Sequence, residues 1–117
     1  MKIIGIGKNY VVDKSEIDGL KNDVQLIFTK PDSSLVTDSK DIVFPPITGQ
    51  LIYEVELVVK MGKTAKNVSI ADANSYISEI GIGIDYTAKD VLTASRDKKG
   101  PWALAKGFDG ASPIAGF

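Results

Sequence analysis

Glu54 and Glu56 stand one residue apart in Leu51-Ile52-Tyr53-Glu54-Val55-Glu56-Leu57-Val58-Val59, a stretch otherwise suited to a strand. Side chains alternate along a strand, so both carboxylates face the same way, within roughly 7 Å of each other. The opposite face carries Tyr53, Val55, Leu57 and Val59 and reads as a core surface, while Ile52 and Val58 make the acid face partly apolar. Two negative charges about 6 Å apart repel by about 3 kcal/mol at an effective dielectric of 20, so a buried pair calls for a cation or a shared proton. Asp85, in Ile82-Gly83-Ile84-Asp85-Tyr86, is a third acid in an apolar setting. Three converging carboxylates make an oxygen-only site of the kind that suits Mg2+ or Mn2+, with Ca2+ a further hard cation for the same donors. Lys106 follows Ala103-Leu104-Ala105, which buries its stem. An ammonium beside such acids can hold an anionic substrate or stabilise an enolate. The pattern alone leaves blander readings open, and favours them: a solvated face for the glutamates, a cap or turn acid for Asp85, a surface lysine for Lys106.

Several elements must hold these residues. Lys2 to Ile6 reads as a short buried strand closed by Gly5-Ile6-Gly7, which fits a tight turn better than a phosphate loop because a third glycine and an immediate helix are both missing. Asp13-Lys14-Ser15-Glu16 has capping-box spacing and opens a marginal, mobile helix through Ile17 and Leu20. Val24 to Thr29 is a strand by composition, ended by the turn cluster Lys30-Pro31-Asp32-Ser33-Ser34. Ile42-Val43-Phe44 is a short apolar piece stopped by Pro45-Pro46. Ile47 to Gln50, with Gly49 as turn residue, leads into the strand of Glu54 and Glu56, which runs to about Met61 as the longest of the chain. Ser69 with Asp72 caps a helix in which Ile70, Ala73, Ile77 and Ile80 share a face up to Gly81. A strand over Ile82 to Tyr86 follows. Thr87 to Asp90 leads into a turn of helix, Ser95 to Gly100 is polar and flexible, order restarts at Pro101, and Gly107 to Phe117 is irregular.

Composition narrows the chemistry. The chain has 117 residues, 44% hydrophobic and 25% charged, with a net charge of -1, which fits one globular domain spanning 1–117 and disfavours nucleic acid or an anionic membrane as partner. The start breaks at Gly5 before a signal core could form, and no apolar run reaches membrane length, so a cytoplasmic location is expected. With no cysteine and no histidine, thiol nucleophiles, imidazole bases and the usual zinc ligands are absent.

Tyr53-Glu54-Val55-Glu56-Leu57, Asp85-Tyr86-Thr87-Ala88-Lys89-Asp90 and Pro101-Trp102-Ala103-Leu104-Ala105-Lys106-Gly107-Phe108-Asp109 resemble the fumarylacetoacetate hydrolase family in order and spacing. Gly7-Lys8-Asn9-Tyr10 resembles that family's Gly-Arg-Asn-Tyr opening, with lysine for arginine. The resemblance spans the chain and implies an α+β fold, a mixed β-sheet roll with short helices. It implies a Mg2+ or Mn2+ site made by Glu54, Glu56 and Asp85, with Lys106 beside it, and Lys8, Tyr10 and Lys89 toward a small carboxylate substrate. The implied activity is C–C cleavage or decarboxylation of a 2-oxo acid or 1,3-dicarbonyl compound through an enolate, or isomerisation of a related dienoate.

The chain departs from that pattern at four places. Asp13 stands where the family usually has the histidine that works with the glutamate, here Glu16, on a short lid helix, and an ordinary aspartate is a poor base at neutral pH. Lys89 replaces an arginine and Leu92 a glutamine. The sequence stops at Phe117, so a copy lacking the later strands is expected, with open edges covered by a second copy in a homodimer. Three functions follow: a metal-dependent enzyme, a degenerate member that keeps the fold and the cation without turnover, or a binding module whose acid cluster is purely structural and holds no metal.

Overall fold

A computed structural model describes residues 1–37, 40–44, 46 and 49–117. The β-branched run that carries Glu54 and Glu56 forms strand β4, Leu51–Met61, paired antiparallel with a strand of twelve residues, β5, Ile77–Ala88. The longest described strand is thus β5 and not, as expected, that of the glutamates. Its length comes at the expense of the expected 69–81 helix. Ser69 does cap a helix through Asp72 N, but α2 spans only Ile70–Ala73, a 3-10 turn covers Asn74–Tyr76, and Ile77 is already in β5. Ile77, Ile80, Ile82 and Ile84 are β-branched and gain a full ladder beside β4, which outweighs one apolar helical face.

The remaining elements follow the pattern of turns and apolar runs, except that the first strand, expected to be buried, leaves Ile4 and Ile6 more than half exposed. Strand β1, Ile3–Gly7, pairs antiparallel with β2, Leu26–Lys30, with the Phe28 ring lying against Gly5. Between them a 3-10 turn at Lys14–Glu16 runs into helix α1, Ile17–Asn22. The second sheet has the order β3-β6-β5-β4, where β3 is Leu35–Val36 and β6 is Ser112–Ala115. A strand at 112–115 corrects the irregular end expected there. Helix α3, Lys89–Asp97, extends through part of the segment expected to be flexible, and α4, Ala103–Lys106, ends at Gly107. Gly49 has a φ of 109°, as its turn role requires. Pro45, Ile47 and Thr48, parts of the expected stop and lead-in, lie outside the described residues.

The core is small and sits where β5 ends against α3 and α4. Its buried apolar side chains are Ala88, Leu92, Ala105 and Ala111, and buried with them are Lys30, Ser34, Asp85, Thr87, Lys106 and Ser112. The face of Tyr53, Val55, Leu57 and Val59, expected as core surface, is exposed, while the acid face is the one turned inward. Lys30 and Lys106 meet Asp85 and Glu54 on the acid face.

Candidate functional site

The register of the β4–β5 ladder builds the site. Glu54 is directly opposite Asp85, and Glu56 is opposite Gly83, so the three acids share one face of two neighbouring strands. Gly83 is part of that geometry: a Cβ there would lie 2.7 Å from Val58 Cγ2 and 3.3 Å from Ile114 Cγ1.

Two lysines from other elements close over these carboxylates. Lys106 is the last residue of α4, a turn started after Pro101 whose Ala105 and Lys106 N–H groups both donate to Trp102 O at 3.0 Å. Its Nζ donates to Glu54 Oε2 at 2.9 Å and to Asp85 Oδ2 at 2.5 Å, and lies 5.2 Å from the centre of the Phe28 ring. Lys30, the last residue of β2, donates to Asp85 Oδ1 and, at 2.9 Å, to Ala111 O. The side chains of Lys30, Lys106 and Asp85 are 4%, 7% and 11% exposed, whereas Glu54 is 52% exposed, so the cluster opens toward solvent on its β4 side.

Lys30 is the site residue that the sequence reading missed, having placed it in a turn cluster. A signal existed: Leu26, Phe28 and Lys30 alternate on one face of β2, so a lysine there sits at the end of an otherwise apolar row. The burial expected for Lys106 is observed.

Burial pulls the Lys30 ammonium below the ordinary lysine range, opposed by its hydrogen bond to Asp85. Burial pushes the Glu56 carboxyl above the usual carboxylate range, against a hydrogen bond from Tyr10, and the charges of Asp85 and Glu54 add to the rise. Tyr10 Oη also accepts from Leu57 N at 2.8 Å, which ties the Asn-Tyr segment to β4 beside Glu56. Two ammonium groups against three carboxylates leave the cluster one negative charge in surplus.

As they lie, no three acids among the described residues stand together as a metal-holding group. Asp85 and Glu54 are drawn together by Lys106, and Glu56 stands along the same face without a lysine partner. The donor set nonetheless fits a hard divalent cation: three carboxylates, the surplus negative charge, and glutamate side chains that are not fully buried.

The other expected residues lie apart from this cluster. Asp13 is exposed and serves as an N-cap, its Oδ1 accepting from Ser15 N at 2.8 Å, and hydrogen bonds from the Ser15 side chain and backbone hold its carboxyl below the usual range. Glu16 is exposed in the same turn. Lys8 and Lys89 are also exposed, and Lys89 N donates to Gln50 O at 2.8 Å; the ion pairs of Asp85 are with Lys30 and Lys106 instead. Leu92 is buried in the core rather than at the carboxylates.

Comparison with known proteins decides the family. The family model described as fumarylacetoacetate hydrolase C-terminal matches residues 2–117. The chain belongs to the fumarylacetoacetate hydrolase family. It is 36% identical over 116 residues to the mitochondrial oxaloacetate tautomerase of Caenorhabditis elegans, covering 99% of this chain and 54% of that protein. A crystal structure of a candidate fumarylpyruvate hydrolase from Burkholderia cenocepacia is 32% identical with a TM-score of 0.87, over 98% of this chain and 49% of that one. The fumarylpyruvate hydrolase from Pseudomonas aeruginosa, solved with Mn2+ and pyruvate, is 27% identical with a TM-score of 0.83, over 97% of this chain and 51% of that one. The fold is therefore the α+β fold of this family, and the chain spans about half the length of the relatives it matches. Among the described residues no helix is long and apolar enough to cross a membrane.

Proposed function

We propose that the Lys30–Asp85–Lys106–Glu54 cluster, with Glu56, is the active centre of a metal-dependent enzyme acting on a small 2-oxo acid. The observation that carries this reading is the placement of two buried ammonium groups on either oxygen of one buried aspartate, directly across the ladder from an open glutamate. Glu54, Glu56 and Asp85 would hold a divalent cation, Mg2+ or Mn2+, which when bound supplies positive charge for enolate chemistry. The Mn2+ and pyruvate of the Pseudomonas aeruginosa relative support both the cation and a 2-oxo acid as its companion.

The chain's own residues have definable work. Lys106, already shared between Glu54 and Asp85, presents an ammonium at the open side of the cluster, where a developing enolate oxygen gains a charge-assisted hydrogen bond. Lys30 and Lys106 hold Asp85 by both oxygens, so its carboxylate is fixed in plane and cannot swing toward solvent. Tyr10, which accepts from Leu57 N and donates to the Glu56 carboxyl, would hold the Glu56 end of the cluster in position. The reaction is decarboxylation, C–C cleavage or keto–enol tautomerisation, all of which pass through an enolate. The cytoplasmic location expected from the sequence belongs to the same proposal, although a relative is mitochondrial.

A second reading, a member that keeps fold and cation without turnover, is favoured by one observation. Asp13, in the histidine's place, is an exposed cap whose carboxyl is held low, which makes it a still weaker base than a free aspartate. Incubation with oxaloacetate and Mn2+ separates the two. Substrate loss that requires Mn2+ and disappears in Lys106→Met supports the enzyme; Mn2+ binding without substrate loss supports the second reading.

A further inference from the structure

Asp85 gives each of its oxygens to a different lysine, and the two lysines are held differently. Lys30 takes Oδ1 and also donates to Ala111 O at 2.9 Å, so its ammonium is tied to the backbone as well as to the carboxylate. Lys106 takes Oδ2 at 2.5 Å and reaches Glu54 Oε2 at 2.9 Å with the same Nζ. It thus bridges the two acids that stand directly opposite each other on β4 and β5, one positive charge between two negative ones. Lys106 also has a third partner. The centre of the Phe28 ring is 5.2 Å from its Nζ, and that ring is fixed in turn by Trp102, 5.8 Å away between centres, and by Gly5, where a Cβ would strike it. An ammonium drawn away from the carboxylates therefore keeps an aromatic face at hand.

We infer that Lys106 and a divalent cation are alternative occupants of the space between Glu54 Oε2 and Asp85 Oδ2: cation binding withdraws Lys106 toward Phe28, while Lys30 keeps its bond to Asp85. The inference rests on the cation reading above and gives Lys106 a second task, as internal competitor of the cation. With Oδ1 held by Lys30, Oδ2 is the oxygen that Asp85 can turn to a cation, and Lys106 already sits on it. A small divalent ion draws its oxygens in to roughly 2.1 Å, which places it inside the span that the ammonium bridges. Two positive charges so close repel each other, and the one on a flexible stem is the one to move. Glu56, which no lysine holds, is free to complete the set once Lys106 has withdrawn. The consequence is an order of events. The ammonium becomes available to a substrate oxygen only after the cation is in place, so a 2-oxo acid meets both positive charges together. A lysine that merely propped the acids would have the opposite effect on affinity, because its removal would splay Glu54 from Asp85 and weaken the cation.

The test is calorimetric titration of Mn2+ into the parent, Lys106→Met and Lys30→Met proteins, each checked for a retained far-ultraviolet dichroism spectrum. Lys106→Met should bind Mn2+ more tightly than the parent by about tenfold or more, the worth of a charged hydrogen bond that the cation no longer has to displace. Its turnover of oxaloacetate should be lost all the same. Lys30→Met takes the same charge from the same aspartate without clearing the shared space, and should show no comparable gain. Equal gains in the two variants, or unchanged or weaker binding by Lys106→Met, overturn the competition and leave the cation site standing. No Mn2+ binding by the parent and Lys106→Met alike overturns the cation site itself, and the competition with it. Nitrogen-15 spectra of the parent's ammonium groups decide the matter if a variant fails to fold. As Mg2+ is added, the Lys106 Nζ signal should shift in step with binding and further than that of Lys30; two signals that move alike, or a Lys106 signal unmoved at saturation, overturn the proposal.

Discussion

Glu54 and Asp85 face each other across the β4–β5 ladder, and Lys106 Nζ lies between them, 2.9 Å from one and 2.5 Å from the other. Two like charges directly opposite would destabilise an antiparallel pair, so the lysine makes this stretch of ladder possible. Lys106→Met should lower the unfolding free energy by about 3 kcal/mol, the lower end of the range for breaking a buried pair, since Lys30 still partners Asp85. Urea denaturation checks this. The double variant Lys106→Met with Asp85→Asn should lose less than the sum of the single changes, because the uncompensated charge is gone.

Strand alternation made the shared face of Glu54 and Glu56 legible, but residue pattern alone favoured a solvated face for them, a cap or turn for Asp85 and the surface for Lys106; the family resemblance is what joined the four into one site. What was not legible depends on long-range pairing. The expected helix over 69–81 failed because the isoleucines that fit one helical face also fit a ladder, and only the presence of β4 decides between them. Lys30 escaped notice because its partner Asp85 is 55 residues away. The partners of the acid face have the same origin: Lys30 and Lys106 reach Asp85 and Glu54 from other elements, and neither lysine's approach is written in residues 51–61.

Glu56 offers a pH test. Its carboxyl is raised by burial and by its acidic neighbours, so the folded state binds the proton more tightly than the unfolded one. The stability it contributes is full below the ordinary glutamate range and is lost as pH rises through the raised folded value. Without divalent cations, Glu56→Gln should therefore melt a few degrees higher than the parent at pH 7, and the difference should fade toward pH 4. Thermal scans across that range read the effect; a constant difference at all pH values contradicts it.

Cation binding should appear as stabilisation. At a Mn2+ concentration of about 100 times the dissociation constant, binding to the folded state alone adds about 2.7 kcal/mol. Glu54→Gln and Asp85→Asn should each remove the shift in melting temperature, and excess chelator should restore the metal-free midpoint in the parent. Glu79→Gln, at the surface pair with Lys60, should leave the shift intact.

Gly83 gives a steric prediction independent of charge. A methyl group there would press on Val58 Cγ2 at 2.7 Å, on the face that holds Glu56. Because the neighbouring side chains are held in a paired ladder, Gly83→Ala should destabilise by about 1–3 kcal/mol through overpacking. It should also weaken Mn2+ binding by displacing Glu56. By contrast Gly7→Ala, at a position with nothing within 4 Å of the added atom, should change neither.

Asp13 supplies the last test, of catalysis. As a cap it stabilises the turn at Lys14–Glu16 through Ser15 N, and its low-lying carboxyl leaves little proton affinity at neutral pH. Asp13→His replaces it with a group that titrates near 6.5, and a base of suitable strength is worth about 100 to 10,000 fold in rate. The same change removes a capping carboxylate, which costs about 0.5–2 kcal/mol. Asp13→Asn keeps the cap without adding a base. If the turn carries the water-activating group, Asp13→His should raise Mn2+-dependent hydrolysis of an acylpyruvate with a rate that climbs between pH 6 and 7, while Asp13→Asn stays at the parental rate. Decarboxylation of oxaloacetate, which needs no attacking water, should respond to neither. Equal rates for all three proteins with the acylpyruvate would place the base elsewhere.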